Sequence, residues 1–153
     1  MQITIVTEDD LADLLPLVRA YCDFYEVAPS DDALLALSRA LIADPSREGL
    51  QFIARDGDGR ALGFATIFWT WSTLSAARTA TLNDIYVHPD GRGTGLAEQL
   101  IAACRERSRE HGAVSLDWQT AKDNHRAQKV YDRVGAVRAE WVDYSLPTAD
   151  PAE

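Results

Sequence analysis

The chain has 153 residues, a length that one hydrophobic core serves without subdivision. Its 24 acidic residues against 15 Lys plus Arg give a formal net charge of -9, which repels a polyanionic backbone and excludes nonspecific nucleic-acid binding. A hydrophobic fraction of 46% supports a folded globular domain, while no stretch approaches the roughly 20 apolar residues that cross a bilayer, so neither disorder nor a membrane span is expected.

In chain order, ITIV at 3–6 reads as an opening strand, and the start MQITIVTEDD has neither the basic residues nor the apolar run of a secretion signal. Thr7 and Asp10 have the spacing of an N-cap pair, and Leu11, Leu14, Leu15 and Val18 recur at helical spacing. Pro16 removes an N–H donor inside that pattern and could kink or split a helix that otherwise reaches about Phe24. Pro29 and Ser30 open a second helix with Leu34, Leu37, Ala40 and Leu41 on one face, ending near Asp44 and Pro45. Residues 50–56 then read as a strand, DGDG at 56–59 as a tight turn, and 60–71 as the returning strand. TATLNDIYV at 79–87 is the next strand. A helix follows HPDGRGTG, with Leu96, Leu100, Ile101 and Cys104 on its apolar face. Residues 113–120 predict a strand, 123–134 a helix, and AVRAEWVDYSL a closing strand. The order is strand, two helices, three strands, helix, strand, helix, strand: an α/β (α+β) fold with a mixed sheet flanked by helices. One domain spans 1–146, and 147–153 reads as a flexible tail. Cys22 and Cys104 sit in helical patterns with no second pair, which fits a reducing cytoplasm.

Charge is distributed unevenly. Residues 1–48 carry ten acids and three bases, whereas 87–112 carry four of each. The asymmetry suits an anionic cofactor near the middle of the chain and a cationic substrate near its amino-terminal part, or serves solubility alone.

The sharpest local pattern is a strand leading through Arg92, Gly93, Thr94 and Gly95 into a helix. Glycines at 91, 93 and 95 let the backbone turn tightly and approach a ligand, and amides at the helix start can converge on phosphate oxygens. Arg92 adds charge-assisted bonds. The bland account is a strand-to-helix turn that uses glycine for geometry alone. A Walker A loop is absent, and GRGTGL has neither the spacing nor the position of a dinucleotide fingerprint. His88, His111 and His125 form no metal-ligand pattern, so no metal is expected.

With these residues in view, the chain resembles the GCN5-related N-acetyltransferase (GNAT) superfamily. Arg92, Gly95 and Ala97 match the form [R/Q]xxGx[G/A], and Asn124, Ala127, Tyr131 and Gly135 in NHRAQKVYDRVGA match a second cofactor-side segment. LNDIYVHPDGRGTG and the later LDWQT also resemble the Hpa2-type histone and polyamine acetyltransferases.

The resemblance implies a single-domain fold whose central parallel strands splay apart around acetyl-CoA or CoA. It also implies direct transfer of the acetyl group to a primary amine within a ternary complex: a polyamine, diamine or accessible lysine. A CoA-binding module without transfer and an O-acetyltransferase stand as alternatives. Cofactor contacts are implied for Ile85, Tyr86, Val87, Arg92, Gly93, Thr94, Gly95, Leu96, Ala97, Asn124 and Tyr131. Tyr131 is the implied acid for the departing thiolate, against plain core packing; Asn124 either touches the pantetheine arm or caps its helix. Asp84 serves as base, as anchor for the acceptor's ammonium, or as a structural polar group. Tyr21, Phe24, Tyr25 and Glu26 either form an aromatic and acidic acceptor wall or pack a helix end, and Trp69 and Trp71 either pack or line the acceptor cavity. A homodimer sharing the carboxy-terminal strand is also implied.

Overall fold

Gln2–Ile5 forms β1, and Thr7 and Asp10 then close a capping box on a 3-10 turn, with the Thr7 amide donating to Asp10 Oδ2 at 2.9 Å. The turn feeds α1, Leu11–Phe24, a single helix that keeps Pro16 inside it. Ser30 caps α2, Asp31–Ala43, by accepting from the Ala33 amide. The computed structural model describes residues 1–149, so residues 150–153 of the expected tail lie outside the described part.

β2 (Gly49–Arg55), β3 (Ala61–Ser72) and β4 (Ala77–Val87) continue the sheet as an antiparallel meander in the order β1-β2-β3-β4. The β2–β3 turn is held by Asp56, whose side chain accepts from the amides of Asp58 and Arg60. After β4 come a short 3-10 turn, α3 (Leu96–Glu110), β5 (Leu116–Asp117) and α4 (His125–Arg133).

Helices cover both faces of the sheet, which explains why β2 and β3 read as nearly continuous apolar runs. Ile53 and Phe64 pack against Leu11, Leu14 and Leu17 of α1. Their neighbours Phe52, Ala54, Ala65 and Ile67 turn to the other face and pack with Leu96, Leu100, Ile101 and Cys104 of α3. The expected apolar stripe of α3 is therefore buried as a unit. Val130, Tyr131 and Val134 of α4 lean on the same core.

Two strand expectations are corrected. The strand predicted over 113–120 contracts to Leu116–Asp117, which pairs in parallel with Ala80 and Thr81 of β4. The closing strand AVRAEWVDYSL does not form, and Val137, Trp141, Val142, Tyr144 and Leu146 are 75–95% exposed. The cause is shared: β4 and β5 part after two residue pairs, and so short a β5 gives a following strand too little ladder to pair with. Side chains alone hold the segment near β5, through Gln119 and Asp143.

Trp69 and Trp71 also take their places here. Trp69 is buried, donates its indole N–H to the Pro45 carbonyl at 2.8 Å and stacks on His111, so it packs. Trp71 is exposed beneath the Arg78 guanidinium. Neither lines the cleft described next.

Candidate active site

Where β4 and β5 separate, the edge of β4 beyond Thr81 has no strand beside it among the described residues, and a cleft of about 500 Å³ opens there. Ile85, Tyr86 and Val87 line one side, Trp118, Gln119 and Thr120 the other, and α4 contributes Ala127, Val130 and Tyr131.

At one end lies the glycine-rich turn. Gly93 and Gly95 have φ of 75° and 78°, and a Cβ on Gly93 would meet nothing within 4 Å. Glycine is required at these two positions by conformation, not by crowding. From Gly93 to Glu98 no backbone amide has a backbone carbonyl partner among the described residues, and Gly95 supplies no side-chain cap to α3. These donors, at the positive end of a helix of 15 residues, suit a diphosphate. Arg92, Gly93, Gly95, Leu96 and Ala97 line the cleft. Thr94 does not; its hydroxyl donates to the Gly91 carbonyl at 2.7 Å and braces the turn. Arg126, Lys129 and Arg133 also face the cleft, cations that the sequence pattern did not single out. Arg133 is held by Glu98 across the α3–α4 gap at 2.6 Å.

Tyr131 is half-buried, with Trp118 edge-on at 5.3 Å. Burial, then the nearby Tyr25, pushes its phenol above the usual range, while the Thr120 hydroxyl donating to it pulls the other way. The group therefore keeps its proton at neutral pH and can give it away. Asn124 lines the cleft and also caps α4, its Oδ1 accepting from the Ala127 amide at 3.2 Å, which leaves its Nδ2 for a ligand.

Of the expected acceptor wall, Tyr21, Phe24 and Tyr25 reach the cleft, with the Tyr21 and Tyr25 rings 5.1 Å apart. Glu26 does not line it; it follows α1 with φ of 57°, exposed. Asp84 does not line it either. A bulge in β4 explains why: Thr66 pairs with Asp84 but Ile67 pairs with Leu82, so Asn83 is the extra residue. Leu82 faces the α3 core, and Asp84 turns to the opposite face, below α1 and α2. There burial raises the Asp84 carboxyl, against donation from Asn83, Thr66 and Tyr21. Tyr21 bridges the two spaces, lining both the cleft and the recess that Asp84 borders.

Comparison with known proteins agrees with this architecture. Residues 14–136 match the model of the Acetyltransferase (GNAT) family. The chain belongs to that family. It is 30% identical over 135 residues to the uncharacterized N-acetyltransferase YhfO of Bacillus subtilis, covering 88% of this chain and 89% of that protein. It is 28% identical over 136 residues to the thialysine N-epsilon-acetyltransferase of Caenorhabditis elegans, covering 89% and 82%. The aminoglycoside N-acetyltransferase AAC(6')-Iy in complex with CoA superposes with a TM-score of 0.82 at 26% identity, over 97% of this chain and 95% of that one. The GNAT protein described here is an acetyl-CoA-dependent N-acetyltransferase acting on amines. The unpaired amides of the 93–98 turn and the unpartnered edge of β4 fit that cofactor.

Proposed function

We propose that this enzyme acetylates the primary amine of a small cationic acceptor, a polyamine, diamine or lysine, by direct attack in a ternary complex. The bound cofactor supplies an acetyl group activated as a thioester. The observation that carries the reading is the arrangement around one cleft of a phosphate-suited turn at Arg92–Ala97, a proton-bearing Tyr131 and the aromatic wall of Tyr21, Phe24 and Tyr25. The turn and Arg92 hold the diphosphate, and Ile85, Tyr86 and Val87 offer their backbone edge to the pantetheine amides, with Asn124 opposite. As the C–S bond breaks and the C–N bond forms, Tyr131 gives its proton to the sulfur and is reprotonated with the proton the nitrogen loses. Positioning of both partners lowers the barrier further.

Asp84 acts as the anchor for the acceptor's positive charge. Its carboxylate meets the cleft through Asn83, which donates to it and lines the cleft, not by lining the cleft itself. The thialysine enzyme to which the chain is similar supports an ammonium-bearing acceptor, and the LNDIYVHPDGRGTG and LDWQT motifs support the Hpa2-type subgroup. A mass-spectrometric screen with acetyl-CoA and polyamines, diamines, amino acids and lysine peptides tests the reading. An N-acetylated amine is the expected product; acetyl transfer confined to hydroxyl acceptors would overturn it.

The enzyme also works as a homodimer in this reading. Five large apolar side chains between Val137 and Leu146 stand exposed beside the short β5, a surface that a second copy would cover.

A further inference from the structure

On the sheet face below α1 and α2, an apolar row of paired residues lies beside a polar one. Ile53, Phe64 and Tyr86 make one apolar row, and the next row is Gln51, Thr66 and Asp84. Thr66 is fully buried and Gln51 is 4% exposed. Gln51 Nε2 donates to Thr66 Oγ1 at 3.1 Å, and Thr66 pairs across the strands with Asp84. With its amide so placed, Gln51 Oε1 is buried with no hydrogen-bond partner among the described residues. An orphan acceptor of this kind is costly unless a donor reaches it.

The three residues border a recess of about 110 Å³ between α1, α2 and the sheet. Gln51, Asp84 and the buried Ser38 supply its oxygen atoms, while Val18, Leu34 and Leu37 supply apolar wall. Among the described residues no Lys, Arg or His lines it. Tyr21 and Asn83 line both this recess and the large cleft, so the two spaces adjoin across those side chains.

We propose that the recess is a socket for a second ammonium group of the acceptor, which makes an α,ω-diamine or a longer polyamine the preferred substrate. The inference rests on the amine-acceptor reading given above and narrows it. An ammonium brings three donors and no acceptor, matching the carboxylate of Asp84, the free Oε1 of Gln51 and the hydroxyl of Ser38. A carboxylate or phosphate would meet the like charge of Asp84 there, with no cationic side chain lining the recess to offset it. The methylene chain of a diamine passes between Tyr21 and Asn83 and presents its other nitrogen in the cleft that Tyr131 lines. Gln51 is thus a specificity-determining residue.

The test compares kcat/KM for 1,3-diaminopropane, 1,4-diaminobutane and butylamine, with acetyl-CoA saturating and products identified by mass spectrometry. The best diamine is expected to exceed butylamine by about tenfold, mainly through KM, the size of one hydrogen-bonded charge contact. Gln51→Leu is expected to lower that ratio. Gln51→Glu, which keeps the side-chain size and adds an anion, is expected to raise it, and this second variant holds the test open if the first fails to fold. Butylamine accepted as well as either diamine, or a diamine-to-butylamine ratio unmoved by folded Gln51→Glu, overturns the socket while leaving amine acetylation standing. No acetylation of any amine overturns both.

Discussion

Tyr131 and Asp84 are both half-buried and both shifted upward by burial, yet the same displacement has opposite uses. A phenol pushed up stays protonated and serves as a donor; a carboxyl pushed up is a charge held at a cost until a cation arrives. Tyr131→Phe is expected to lower kcat by about 100-fold, the range for loss of a positioned general acid, with CoA affinity by calorimetry unchanged. Full turnover with an unaltered pH profile would remove Tyr131 from the chemistry. For Asp84 the consequence is a stability sign. The folded carboxyl binds its proton more tightly than the unfolded one, so the wild type loses stability relative to Asp84→Asn as pH rises through the carboxylate range. The melting temperature of Asp84→Asn minus that of the wild type is expected to increase from pH 3 towards neutrality, and a flat or falling difference would contradict the burial described here. Gln51 shows why part of the site was hidden in the sequence. In LQFIARD it looks like a polar interruption of a strand, and only pairing with Thr66 and Asp84, 15 and 33 positions away, makes it part of a polar row.

At the scale of elements, the turn into α3 is the feature on which cofactor binding depends. Gly95→Ala places a side chain at φ 78°, a conformation costing about 1–2 kcal/mol for an L residue. Loss of stability in chemical denaturation is expected together with a raised KM for acetyl-CoA, since relaxing the strain re-aims the amides that follow. This element was legible beforehand because its chemistry is local: glycines, an arginine and a helix start lie within six residues. α1, α2, β2, β3, β4 and α3 were legible from periodicity for the same reason. β5 and the closing segment were not, because alternation in AVRAEWVDYSL reports suitability for a strand and says nothing about whether a neighbour is there to pair with. The β4 bulge was also illegible, and it decides which way Asp84 faces.

Across the whole molecule, the exposed carboxy-terminal side chains make self-association measurable. Analytical ultracentrifugation is expected to show a dimer for the full chain and a monomer after removal of residues 137–153, with the sheet's circular dichroism retained. A monomeric full chain would leave that surface without the partner assigned to it. Of the lining residues, the cleft and the recess share Tyr21 and Asn83, and that boundary divides the chain by sequence position as well as by space. Nearly everything on the acceptor's side is drawn from the first 51 residues, and nearly everything gripping the cofactor from the segments after Asp84. Amine choice and acyl-donor grip are therefore separable by substitution, the first in the opening third of the chain and the second in the remainder.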